Sequence, residues 1–420
     1  MALKTVVVLS DLRSVPLMAA LNIVRSVKDT DEVILTASEQ LFYYNEYADY
    51  TPKIWKLFLL AVLRLFFSLK LVRKNANTEL DETETLGLTS SFYSITDDSG
   101  ATENKYPKIF SSLYALTLGS KEVTKFLDSI GDINFIYVFN GRTASSYLIS
   151  KYAHTKNIKI GYYEYSRDSN GYRLLPVAPH ASGDVGAIQW LFWKNCCISN
   201  ADKNKLSQLY FEKKLNSSFT QANTIKCEKK YDISIYLGSD HEYQAVDSEI
   251  CNIEWRGNIE FIKQVIAKYG INKSYAIRCH PNQENDKNWK SLISAIDLFI
   301  IESNVKIDMY DPISGVSSYD LMANSKVIAT DLSTIAVDAV ILGYKVDIFG
   351  NIELKRFLKE LDLDGIFNAT LKTKCISELL AFYEMLFVIR FNRTEKHICQ
   401  LYFIIDHGFK KIMKLSIYEK

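Results

Sequence analysis

"NFIYVFNGRTASSYLISKYAHTKNIKIGYYE", residues 134–164, decides the fold. NFIYVFN (134–140) is a short, almost unbroken apolar run, the pattern of a strand covered on both faces. ASSYLISKYAHTKN shifts to helical spacing, and IKIGYYE (158–164) returns to a strand. Strand, helix and strand in that order form a βαβ crossover and imply parallel pairing.

The same alternation runs outward from this unit. KTVVVLS (4–10) reads as a buried strand, followed by a polar turn and the helical VPLMAALNIVRSV, and DEVILTA (31–37) reads as the next strand. After the polar stretch near 215–230 the pattern restarts. YDISIYLGS (231–239), KSYAIRCHP, KVIATD (326–331) and KVDIFG (345–350) read as strands. NIEFIKQVIAKYG, SSYDLMANS and TIAVDAVILG read as the helices between them. A chain of 420 residues exceeds one ordinary core, so two units are expected. The expected boundaries are 1–225 for a first Rossmann-like lobe, 226–390 for a second, and 391–420 for a basic helical tail. The expected class is therefore α/β, two Rossmann-like lobes facing a cleft, with ligands beyond the carboxyl ends of the strands.

Composition narrows the function. Hydrophobic residues make up 48% and charged residues 24%, as in a globular protein. The net charge of +1 lacks the basic excess of a general nucleic-acid binder, so no nucleic-acid partner is expected. Seven cysteines with no CxxC pair argue against a disulfide framework or a zinc site and favour a reducing, cytoplasmic setting. The N-terminus enters a strand-like run without the apolar region of a secretory signal. The longest apolar stretch, Leu57–Leu63, is cut short by Arg64, well below the ~18 residues of a membrane span. Two segments are basic and apolar together. Residues 53–74 hold six Lys/Arg and no acid, and residues 390–420 hold seven Lys/Arg against three acids. Such helices can rest on an anionic membrane surface, or pack on the lobes with their lysines in water.

Candidate chemistry gathers where the strands end. In FNGRTASSY, Asn140, Gly141 and Arg142 follow a strand and open a helix, which suits a carboxylate or phosphate; a tight turn with a solvated arginine is the plain alternative. Glu164 closes an apolar strand, where partial desolvation suits an acid or base, although a cap or a salt bridge to Arg167 or Arg173 would also account for it. His180 follows Pro179 in a loop. In IYLGSDHEY (235–243), Asp240 could be a nucleophile or base and Ser239 a donor, and both could simply cap a helix. Arg278, His280 and Pro281 end another strand. Ser317-Ser318 and Ser333-Thr334 precede helices and combine hydroxyls with free backbone N–H groups, a metal-free way to hold phosphate. GxGxxG, GxxxxGK[ST], HExxH and GxSxG are absent.

In their order, NGR, the "YE" strand end, "PH", "SDHEY", "IRCHPN", "SSYDLM" and "TDLSTIAVDAVILG" resemble bacterial GT-B glycosyltransferases of capsule and lipopolysaccharide synthesis. They are most similar to the retaining β-Kdo (3-deoxy-D-manno-oct-2-ulosonic acid) transferases, over residues 134–350. The chain departs from that family at "EYS" (164–166), where the family often reads ERG, and at "SDHE". The resemblance implies transfer of Kdo from CMP-Kdo to a lipid-linked or oligosaccharide acceptor, with no resident cofactor and no metal. By motif position, Asp240 would be the nucleophile, Glu164 the acid/base, and His280, Ser317 and Ser318 nucleotide-binding residues. Arg142 could hold the donor carboxylate. A UDP- or GDP-sugar transferase working by inversion, and a non-catalytic subunit of a polysaccharide assembly complex, are the competing expectations.

Overall fold

A computed structural model describes residues 4–27, 32–43, 54–73, 78–165, 171–175, 178, 230–247, 250, 256–331, 335–336, 339, 344–350 and 388–390. The expected strands form two separate sheets. The first contains β1 (Lys4–Val8), β2 (Glu32–Ser38), β3 (Lys70–Val72), β4 (Ile133–Phe139), β5 (Lys159–Tyr165) and β6 (Gly171–Leu175). The second contains β7 (Tyr231–Tyr236), β8 (Tyr275–Arg278), β9 (Ile307–Tyr310), β10 (Ser325–Thr330) and β11 (Val346–Ile348). A last strand, β12 (Val388–Arg390), returns to the edge of the first sheet beside β6. The sequence boundaries place it in the second lobe; the pairing places it on the first.

Strand order in the first sheet is β12-β6-β5-β4-β1-β2-β3. From β3 through β5 all pairs are parallel, whereas β5–β6 and β6–β12 are antiparallel. The valines of β1 and Ile136, Tyr137 and Val138 of β4 are fully buried, as central strands covered on both faces must be. The second sheet, β11-β10-β7-β8-β9, is wholly parallel. Its order reverses between β7 and β10, and that of the first sheet reverses between β1 and β4. These are the two topological switch points, where doubly wound sheets open a crevice at their carboxyl edges.

The first lobe carries α1 (Ser14–Val27), α2 (Gln40–Tyr43), α3 (Ile54–Phe67), α4 (Leu86–Thr96), α5 (Pro107–Ile130) and α6 (Tyr147–Thr155). The second carries α7 (Asp240–Tyr243), α8 (Asn258–Tyr269), α9 (Trp289–Ser303) and α10 (Ser318–Ala323). α2, β3, α4, α5, β6, α9 and β9 are additions to the sequence reading. The helix expected over TIAVDAVILG falls largely outside the described residues, as do Ser333, Thr334, His180 and the tail 391–420.

The turn after β4 differs from expectation. Asn140 and Gly141 have φ of 58° and 85°, so the backbone turns sharply through the left-handed region. A hydrogen-bonded turn over Thr143–Ser146 follows, and α6 begins only at Tyr147. Arg142 therefore sits at a strand end and not at a helix N-terminus. Gly141 has no room for a side chain, because a Cβ would run into the ring of Tyr162. Gly141→Ala is expected to lose on the order of 2 kcal/mol or more of stability, from positive φ and overlap together, measured by urea unfolding.

Candidate active site

Glu164 and Asp240 stand at the carboxyl ends of β5 and β7, one in each lobe. Glu164 is half-buried, with each oxygen held by a donor. Asn140 Nδ2 donates to Oε2, and the Tyr165 N–H donates to Oε1 at 2.9 Å. Burial pushes its pKa up, against the pull of the Tyr165 N–H, Asn140, Arg142 and Arg173. Arg173 faces Glu164 across the β5–β6 pair, but its Nε donates to the Tyr165 carbonyl at 3.2 Å. The half-buried Arg142 donates its N–H to Asn140 Oδ1 at 3.3 Å, so Asn140 ties arginine and glutamate into one unit.

Two residues here were not singled out in the sequence. Asp11 and Arg13 lie in the loop after β1, at the switch point of the first sheet. Asp11 is buried and accepts from the Arg13 N–H and Nε, each at 2.7 Å. The Arg13 guanidinium lies over the rings of Tyr165, at 5.3 Å, and Phe139, at 5.9 Å. That brings a cation to the strand end carrying Glu164. The signal was present as "LSDLRS", a charged loop closing the first strand of a doubly wound sheet.

In the second lobe the loop after β7 presents Gly238, Ser239 and Asp240. Asn258, at the start of α8, donates from Nδ2 to Asp240 Oδ1 at 2.9 Å and to the Gly238 carbonyl at 3.2 Å. Gln283 Nε2 donates to the same carbonyl at 3.0 Å, while Gln283 Oε1 accepts from the His280 N–H at 3.0 Å. Both amides are buried. Burial pushes Asp240 up to about 6; Asn258 opposes this and the negative charge of Asp286 adds to it. Oδ2 of Asp240 accepts no hydrogen bond among the described residues. Ser239 occupies the N-cap position of α7, yet its hydroxyl makes no cap and is buried without a partner among the described residues.

Arg278 ends β8 with only 1% of its surface exposed. Its Nη1 donates to the Asp311 carbonyl at 2.6 Å, while Nε and Nη2 find no acceptor among the described residues. Buried guanidinium donors without a partner are costly, and an anion at this strand end would satisfy them. Cys279 beside it is pushed up to about 12 by burial and is no nucleophile. His280 is half-buried, and Pro281 opens a single 3-10 turn, Pro281–Asn285. Ser317 is a true cap, accepting from the Asp320 N–H at 3.3 Å, and the Ser318 carbonyl accepts from the Tyr236 hydroxyl at 2.8 Å.

The lobes touch beside these groups. The buried carboxylate of Asp286, at the end of the His280 turn, accepts from the Ser99 N–H of the first lobe at 3.0 Å and from the Asn288 N–H at 2.9 Å. The Lys287 N–H donates to the Asp97 carbonyl at 2.7 Å. The Tyr147 hydroxyl donates to Asp247 at 2.7 Å, and Tyr243, Val246 and Ile250 pack against the first-lobe core.

No family model matches the sequence, and no curated protein does. Among solved structures, the chain is similar to the β-Kdo 2,7-transferase KpsC of Thermosulfurimonas dismutans, at 11% identity, over 78% of this chain and 88% of that one, with a TM-score of 0.36. It is similar to a sucrose-phosphate synthase of Thermosynechococcus elongatus at 9% identity, over 95% and 98%, with a TM-score of 0.27. A UDP-N-acetylglucosamine 2-epimerase of Rickettsia bellii matches at 10% identity, over 92% and 96%, with a TM-score of 0.23. Likeness at this level assigns neither family nor activity. Fold and site together define an α/β protein with two parallel-sheet bodies and a desolvated carboxylate at the strand ends of each.

The raised value of Asp240 has a consequence for stability. The folded chain holds the proton to about pH 6, whereas an unfolded aspartate releases it near pH 3.8. The stabilising contribution is complete below the lower value and is lost as pH rises through the upper one. Asp240→Asn should therefore be more stable than wild type at pH 7.5, by on the order of 1–3 kcal/mol, with no gain at pH 4. Unfolding midpoints across that range check this. Gln283→Ala removes one of the two donors to the buried Gly238 carbonyl and the Oε1 acceptor of the His280 N–H, and should lose about 1–2 kcal/mol in the same assay.

Proposed function

We propose that the chain is a metal-independent GT-B-type glycosyltransferase of bacterial surface polysaccharide synthesis, acting on the cytoplasmic side of the membrane. It moves Kdo from CMP-Kdo to a lipid-linked or oligosaccharide acceptor with retention of configuration. The supporting observation is the pair of burial-raised carboxylates, Glu164 and Asp240, one at the carboxyl edge of each lobe. With Oδ1 held by Asn258, Asp240 attacks the anomeric carbon through Oδ2. The bond to CMP breaks and its electron pair leaves on the phosphate. Glu164 then takes the proton of the acceptor hydroxyl, which displaces Asp240 from the same carbon. A raised glutamate suits that proton transfer near neutral pH.

The anionic parts of the donor meet the cations at the strand ends. Arg142 receives the sugar carboxylate, and the two unpaired donors of Arg278 receive an oxygen of the phosphate, beside His280 and Ser239. A second reading rests on the value of Asp240 itself. About 6 also suits a general base, as in a single inverting displacement from a UDP- or GDP-sugar.

Intact-mass measurement with a CMP-Kdo generating system separates the two. Wild type should gain the mass of one Kdo unit, and Asp240→Asn should gain none while still binding CMP. Glu164→Gln should keep the adduct and slow turnover by about 10²-fold or more. Full transfer by Asp240→Asn would remove the nucleophile role.

A further inference from the structure

Helix α3 is apolar on both faces. One face is seated on the first lobe: Leu60 and Leu63 belong to its core, Leu59 and Phe67 pack against it, and Lys56 is buried as well. The opposite face stands in solvent, with Phe58 72%, Leu65 79%, Phe66 76% and Leu57 42% exposed. Ala61 and Arg64 are exposed among them. Single exposed leucines are ordinary, but four large apolar side chains on one short helix form a patch with a use. The sequence alternative of a packed helix with its lysines in water describes one face only: Lys56 is inside, while Leu57, Phe58, Leu65 and Phe66 stand outside.

Charge indicates what covers the patch. Between Asp49 and Glu79 the sequence holds six Lys/Arg and no acid. Of these, Arg64 on α3, Lys70 on the adjoining edge strand β3 and Arg73 just beyond it are exposed, Arg73 lying 3.7 Å from the Glu39 carboxylate. A second copy of the chain seated on the same face would oppose like charges. An anionic lipid surface is complementary in both respects. At about 21 Å the helix is too short to cross a bilayer, and no described helix is long and apolar enough to do so. As the crossover from β2 to β3, α3 begins at the carboxyl edge of the first sheet, the edge that carries Glu164.

We propose that the exposed face of α3 lies in the interfacial layer of an anionic phospholipid bilayer, with Leu57, Phe58, Leu65 and Phe66 inserted and Arg64, Lys70 and Arg73 at the headgroups. The proposal stands independently of the donor sugar. The test mixes the full chain with vesicles of phosphatidylcholine alone, or of equal parts phosphatidylcholine and phosphatidylglycerol, and measures co-sedimentation. Wild type should bind the anionic vesicles, release in high salt, and bind the neutral ones far less. Phe58→Ser with Phe66→Ser should weaken binding about tenfold or more at an unchanged melting temperature. Absence of wild-type binding, or equal binding by the double variant, overturns the proposal. So does light scattering that finds a wild-type dimer which the variant turns into a monomer.

Discussion

The carbonyl oxygen of Gly238 takes two hydrogen bonds from amides buried away from water, and the geometry of the second lobe's site depends on it. Asn258 and Gln283 both donate to it. Each amide also makes a second bond, Asn258 fixing one oxygen of Asp240 and Gln283 receiving the His280 N–H. The ends of β7 and β8 are thereby locked together beyond the last rung of the sheet. With two buried donors on one carbonyl, a movement of the loop carrying Asp240 breaks hydrogen bonds on both amides at once, so the loop has little freedom to relax.

The same turn that holds His280 carries Asp286, whose carboxylate grips the Ser99 backbone of the first lobe. Asp286 also contributes negative charge that raises Asp240. Contact between the lobes and the protonation of Asp240 are thus linked through one short 3-10 turn. Protein interiors tolerate such a desolvated acid only at a cost in stability, offset here by the apolar cores of the lobes. Groups held against local preference mark sites under functional demand.

The βαβ alternation was legible because parallel strands buried on both faces read as bare apolar runs, and residues 134–164 carried it within one stretch. Strand-end placement of Glu164, Asp240 and Arg278 followed from the same pattern. Antiparallel β6 and β12 were not legible: GYRLL and VIR are short and pair only through tertiary context. Helix α6 starts late because Asn140 and Gly141 enter the left-handed region, which apolar periodicity does not encode. Asn258 and Gln283 were missed because an amide announces nothing until its partners are in place. Ser317 and Ser239 share the N-cap position, yet only Ser317 caps, and composition alone could not separate them.

The proposed transfer requires a nucleotide resting at the carboxyl edge of the second sheet. Thermal unfolding with CMP, UDP and GDP in parallel tests it most directly, because a ligand that binds only the folded chain raises the midpoint with its concentration. The predicted result is a rise with CMP that Arg278→Met abolishes, with UDP and GDP inert. No rise with any of the three would contradict it.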